Sequence, residues 1–372
     1  MSWTLSARDF VLGVVVGVAL ALLLAAVVVA MLLRSSDLYS LGHWKLNLRT
    51  PLDSMWLNLG YWKDADGEPV QRFDEACLGL LRETLKTAGL LGRGAKESAN
   101  PRRALSVLDL GFGCGDQTLA LARLVQPRSS HDFRYVGLTL DRSQHQTALR
   151  RLHRELPSSS DVGPSLESSC FHLYRADAAK PDSWSPDIRD AVRALADPDF
   201  PDRWLLALDC LPFFSPSRKP VFRHAARELD ANVLAFDLIL NEKASRWHKF
   251  LARLVGWVLG CPWRALLTED EYRAEMRSCG YDEGLVLVRD VSDDVFAGIA
   301  NYLRRQEEAL SLYGISIGGF KLTGHLFEWF DRSRVVKAAI VVGRTHGKGQ
   351  ADSHQDSASA TSTAASPLVS RR

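Results

Sequence analysis

Three glycines at alternate positions, Gly111, Gly113 and Gly115, follow an apolar run that carries one acid, Asp109. Residues 107 to 118 read Val-Leu-Asp-Leu-Gly-Phe-Gly-Cys-Gly-Asp-Gln-Thr, and the helical run LALARLV comes next. A strand that ends in glycines and turns straight into a helix lets backbone approach a ligand closely. Dinucleotide sites use G-x-G-x-x-G, whose third glycine serves helix packing. Here the spacing is G-x-G-x-G, with Cys114 inside it and Asp109 two residues before it. An Asp at that place can hold the glycine loop and reach a cationic ligand tail.

The elements around this loop set where other chemistry can sit. Buried strands are expected at residues 105–112, 134–140, 171–178, 204–211 and 232–240, with two more within 286–294 and 335–343. Helical patterns alternate with them. The expected fold is α/β, a Rossmann-like, doubly wound, mostly parallel sheet of seven strands, with an N-terminal transmembrane helix. Ligands of such sheets bind beyond the carboxyl ends of the strands. The second strand ends in Thr139-Leu140-Asp141, with Gln144 a helical turn on. The third ends in Asp177-Ala178 and the fourth in Asp209-Cys210-Leu211.

Taken together, this pattern resembles the class I S-adenosylmethionine-dependent methyltransferases over residues 55 to 345. The resemblance implies S-adenosyl-L-methionine as cofactor. It places Gly111, Gly113, Cys114 and Gly115 against the cofactor's amino acid and ribose, and Asp177-Ala178 at the adenine amino group. Asp209, Cys210 and Leu211 would line the methionine portion. Gly137-Leu138-Thr139-Leu140-Asp141-Arg142-Ser143-Gln144 is similar to the G-x-T-L-S-x-x-Q of cyclopropane fatty acid synthases and tocopherol- and sterol-type small-molecule methyltransferases. In those enzymes Thr, Leu and Gln take the contacts that an acidic residue makes elsewhere, which implies Thr139, Leu140 and Gln144 here. Asn58-Leu59-Gly60-Tyr61-Trp62 resembles a segment of the same enzymes whose tyrosine reaches the cofactor carboxylate, which implies Tyr61. The chain departs from its small-molecule relatives after the fourth strand. Where many read L-D-x-L-Y-H-F, this chain reads Leu208-Asp209-Cys210-Leu211-Pro212-Phe213-Phe214. The histidine is gone, so no catalytic base is assigned.

Residues 10 to 33 form an apolar run without charge or proline, bounded by Asp9 and Arg34. At about 1.5 Å per residue it is long enough for a hydrocarbon core of about 30 Å. It is also longer than the apolar part of a signal peptide. Arg8 stands beside Asp9 before the run, whereas Arg34, Lys45 and Arg49 follow it. That balance predicts a single-pass protein, assigned to the endoplasmic reticulum, with its catalytic domain in the cytosol. The domain plan is a short tail (1–9), the helix (10–33), a juxtamembrane linker (34–54), the methyltransferase domain (55–345) and a disordered Ser/Ala/Thr-rich tail (346–372).

Composition narrows the partners. The formal net charge is +2, which gives no reason to expect nucleic-acid binding. The six cysteines are scattered, with no zinc spacing, so no metal is expected. Residues 247 to 263 are apolar and tryptophan-rich with Arg and Lys interspersed, which suits a membrane interface, and their place after the fifth strand is where the resemblance implies a substrate lid. The expected acceptor is therefore a lipophilic small molecule or lipid. A methyltransferase of membrane-associated proteins would need a peptide-sized groove instead, and a non-catalytic scaffold would fail to bind the cofactor.

Overall fold

The computed structural model describes residues 7–33, 54–91, 104–125, 130–156, 167–312 and 315–345. Residues 34–53 of the expected linker (34–54) and the tail at 346–372 lie outside them.

In chain order the elements are α1 (Ala7–Leu33), α2 (Phe73–Ala88), β1 (Leu105–Leu110), α3 (Asp116–Val125), β2 (Phe133–Thr139), α4 (Arg142–Glu155) and β3 (Phe171–Arg175). Then come α5 (Pro186–Arg193), β4 (Asp202–Leu208), α6 (Lys219–Arg227), β5 (Asn232–Leu240), α7 (Arg246–Val258) and α8 (Glu269–Cys279). The last are β6 (Leu287–Asp290), α9 (Ser292–Ser311), α10 (Phe320–Ser333) and β7 (Val336–Gly343). The seven strands make one sheet in the order β3-β2-β1-β4-β5-β7-β6. β1 to β5 run parallel, while β7 returns antiparallel between β5 and β6.

β1 is buried at every residue. A strand covered on both faces needs no polar alternation. Its Leu105 and Val107 join the core beneath α2, α3, α4, α9 and α10. Leu108 and Leu110 face the other core, beneath α5, α6 and α8. The two cores are thus separated by the sheet and joined through its strands.

Several boundaries differ from the expectation, with β1, β3 and β4 ending at Leu110, Arg175 and Leu208, two or three residues early. The strand expected within 286–294 stops at Asp290, and α9 begins at Ser292. Asp290 accepts the Ser292 amide at 3.0 Å, so an acid turns the chain into the helix. α1 is confirmed as a helix, and Phe10–Val29 within it is long and apolar enough to cross a membrane.

Candidate active site

The order of the parallel strands reverses between β1 and β4, which opens a crevice at their carboxyl ends. The glycine loop forms its floor. Gly111 has φ +76°, a conformation that L side chains rarely adopt, and a Cβ there would meet Cys210 Cβ at 3.0 Å. Its amide donates to the Leu138 carbonyl at 2.8 Å, tying the loop to β2. Gly115 serves a different contact. A Cβ on it would meet Ala148 of α4 at 3.1 Å, so this glycine lets α3 start close against α4.

A groove of about 350 Å³ runs from this loop across the ends of β2, β3 and β4. Thr139 and Gln144 are both buried there, and the Thr139 hydroxyl donates to Gln144 Oε1 at 2.9 Å. Asp141 caps α4 by accepting the Gln144 amide at 2.7 Å, which sets the position of that glutamine. Asp177 accepts the Ala179 amide at 3.0 Å and faces Lys180 Nζ at 2.8 Å. Leu140 is 68% exposed and stands as an open side wall. The lining contains three carboxyl groups, Asp141, Asp177 and Asp209, and no lysine, arginine or histidine.

Most of the residues expected at a cofactor come together in this groove. Gly111, Gly113, Thr139, Leu140, Gln144, Asp177, Ala178, Asp209 and Cys210 all line it. Cys114 lines a small adjoining cavity, beneath residues 55–58. Four others lie elsewhere. Gly115 works in helix packing, as above, and Leu211 belongs to the core on the far face of the sheet. The Tyr61 hydroxyl donates to Asp294 of α9 at 2.9 Å and lines neither cavity. Burial, then that bond, pushes Tyr61 up to about 12. Asp109 is fully buried, and its carboxylate accepts from Gln117 Nε2, at 2.7 and 2.9 Å, and from the Tyr135 hydroxyl. It therefore holds the strand and α3 together beneath the loop and does not reach into the groove. Burial pushes Asp109 up to about 6 against the pull of those two donors.

A second cavity, of about 140 Å³, adjoins the first and is almost wholly apolar. Its walls come from Leu57 and Leu59 in the N-terminal strap, from Val255 and Leu259 at α7, and from Phe320 and Phe327 of α10. The strap is fastened by Asp116, which accepts the Met55 amide at 3.2 Å and Arg151 Nη1 at 2.6 Å. Leu57, Asp209 and Phe213 line both cavities. Leu57 could have been found, since it immediately precedes Asn58-Leu59-Gly60. The α10 residues carried no local signal, because their place depends on where β7 enters the sheet.

Asp209 is the acid between the two cavities. Its backbone is left-handed, with φ +58°. For a residue other than glycine such a conformation costs about 1–3 kcal/mol and is held by its surroundings. Its amide is fixed to the Phe236 carbonyl at 3.1 Å. Burial, then the charge of Asp237, holds the Asp209 carboxyl well above the usual carboxylate range. Asp237 itself is paired with Arg218, which also donates to the Ala265 carbonyl.

Comparison with known proteins agrees with this architecture. No family model and no curated protein matches the sequence. Solved structures do match. The (4+2)-cyclase SpnF superposes with a TM-score of 0.53 at 17% identity, over 84% of this chain and 95% of that one. The cyclopropane synthase MmaA2 from Mycobacterium tuberculosis gives 0.52 at 14% identity, over 84% and 95%. A geranyl diphosphate methyltransferase, solved with GPP and sinefungin, gives 0.52 at 13% identity, over 86% and 98%. The fold is that of the S-adenosylmethionine-dependent methyltransferases, spanning nearly the full length of each of these proteins. It carries a cyclase as well as methyl-transfer enzymes, so the reaction has to be argued from the site.

Proposed function

We propose that this chain is a membrane-anchored methyltransferase that transfers a methyl group from S-adenosyl-L-methionine to a hydrophobic small molecule or lipid. The observation that carries the reading is the pairing of an acidic groove with an apolar cavity across Asp209 and Phe213. Three carboxyl groups and no cationic side chain line the groove, with Lys180 pairing to Asp177 from beyond the lining, so it suits a ligand of net positive charge better than a pyrophosphate. Thr139, Gln144, Asp177 and Ala178 would hold the nucleoside end, and the glycine loop with Cys210 would hold the amino-acid end.

When bound, the cofactor supplies an electrophilic methyl on a sulfonium. The protein's part is to bring the acceptor into line and exclude water. Leu57 and Phe213 form the wall between the two ligands, and α7 and α10 shield the acceptor. Asp209 is the one carboxyl group that lines the apolar cavity. It is placed to hold the polar end of an otherwise apolar acceptor and to take its proton. The cavity is walled on several sides and has no extended polar groove, which favours a small molecule over a protein acceptor.

The proposed location rests on α1. The basic residues after it support a single-pass topology with the enzyme domain in the cytosol, and the endoplasmic reticulum is the proposed membrane. All six cysteines are free, which suits that compartment. The direct test is calorimetry of the detergent-solubilised chain with S-adenosyl-L-methionine and with NAD. Membranes incubated with radiolabelled cofactor and a lipid extract then identify the product. Binding of the first ligand and label in an organic-soluble product are expected. Binding of NAD alone would overturn the reading.

A further inference from the structure

Outside α1, large apolar side chains are exposed at only nine described positions: Trp247, Phe250, Trp257, Trp263, Leu312, Ile315 and Leu322, and, away from these, Leu140 and Leu287. The first four lie on α7 and the turn after it. The next three lie where α9 passes into α10. Scattered exposure of this kind is ordinary, but concentration in two segments marks an interaction surface.

Both segments border the apolar cavity. On α7 the inner face supplies Ala252, Val255 and Gly256 to its wall, while Trp257 points out and is 53% exposed. On α10 Phe320 and Thr323 line the cavity, while Leu322 is 48% exposed. The outer aromatics of α7 form one group. Trp247 stacks on Phe250 with centroids 5.6 Å apart, and Phe250 meets Trp263 edge-on at 5.7 Å. Within the segment the charge has one sign, while Glu242, Glu269, Asp270 and Glu271 flank it. Residues 243 to 268 hold Lys243, Arg246, Lys249, Arg253 and Arg264 and no carboxylate. Arg253 is engaged by Glu271, and Lys249 by the Glu242 carbonyl. Arg246 and Arg264 are exposed.

We propose that these two rims lie in the interface of the lipid bilayer, so that the acceptor cavity opens toward lipid and an apolar acceptor enters without crossing water. A bilayer is the occupant that the surroundings favour. The helix long enough to cross one, α1, passes close to α7, its side chains from Phe10 to Val29 remaining exposed. Tryptophan beside arginine and lysine is the composition of an interfacial surface, with aromatic rings at the headgroup level and cations on the phosphates. Access to the acceptor rests on the proposed function; the docking of the rims does not.

Hydroxyl-radical footprinting of the full chain tests this, in nanodiscs of phosphatidylcholine and phosphatidylserine loaded with one chain per disc. Trp247, Trp257, Trp263 and Leu312 are expected to be labelled several-fold less than their exposure dictates. Leu140 and Leu287, equally apolar and exposed but away from the rims, should label fully. Introducing charge with W257E and L322E should restore labelling at Trp247 while α1 keeps the chain carbonate-resistant. Full labelling of the rim in the wild type would overturn the proposal. So would protection found only with two chains per disc, because the cover would then be a second copy. Failure to bind S-adenosyl-L-methionine would remove the proposed function and leave the footprint unchanged.

Discussion

Asp209 and Asp109 are carboxyl groups at the ends of neighbouring strands, yet they face different work. Asp209 lines both cavities, with its carboxyl held above the usual range by burial and Asp237. Its proton-accepting form therefore grows as pH rises. Turnover should climb with pH through this group and level off above it. Asp209→Asn should remove that limb and lower kcat by about 10²–10⁴-fold, the usual worth of a general base. Cofactor affinity should change far less, and calorimetry beside a pH–rate profile separates the two. Other groups near it, Cys77, Cys210 and Cys261, are pushed up by burial and stay neutral at pH 7. Asp109 belongs to stability. The unfolded carboxyl loses its proton near 3.8 and the folded one near 6. Stability from this group is thus undiminished below pH 4, falls as pH rises to about 6, and is flat above. The shift corresponds to about 3 kcal/mol. Melting of Asp109→Asn against wild type should show the variant gaining about that much between pH 4 and pH 7. An unchanged difference would refute the linkage. In the sequence both acids look alike, each at a strand end beside small residues. Which face of β1 Asp109 takes, and that Tyr135 and Gln117 wait there, is a tertiary fact.

α7 shows what an element adds to its residues. Its place after the fifth strand and its apolar, tryptophan-rich content pointed to a cover over the acceptor, and the helix does line the apolar cavity through Ala252, Val255 and Gly256. Ser245 starts it by accepting the His248 amide at 3.2 Å, and Gly260, with φ +99°, follows its end. Only Ala252 and Gly256 along it are buried, so it is a two-faced helix and not a core helix, as the proposed lid requires. Val255 lines the cavity and Val258 does not. Val255→Asp should raise the acceptor KM or abolish turnover while cofactor affinity holds, whereas Val258→Asp should leave both nearly unchanged. Equal effects at the two positions would undo the lid. The opposite wall was not legible. α9 carries apolar residues at helical spacing, yet its start was read as strand because Val286, Val288 and Val291 precede it. The approach of α10 to α7 is set by β7 returning between β5 and β6. No local pattern encodes that return, whereas the strand ends that carry the groove were each announced by small or polar residues after an apolar run.

At the scale of the whole chain, the proposed anchor and the proposed lipid rims would impose different constraints. Twenty residues, 34 to 53, connect α1 to the strap. Fully extended, they could span up to about 70 Å, so a tether alone would not orient the cavity. Contact of the α7 and α9–α10 rims with lipid would, and it would turn the domain so that its cavity meets the bilayer. That arrangement is possible only if the domain and the basic residues that follow α1 share one side of the membrane. Arg34, Lys45 and Arg49 favour the cytosolic side. Protease added to sealed microsomes should therefore digest the domain beyond residue 54, and carbonate washing should leave the anchored fragment in the membrane. A domain protected until detergent is added would reverse the orientation, placing the free cysteines in an oxidising lumen, where Cys210 at the groove would be open to oxidation. Release by carbonate would mean instead that α1 does not span the bilayer. The rims would then have to hold the protein by their aromatic and basic residues alone, and binding should weaken as salt is raised.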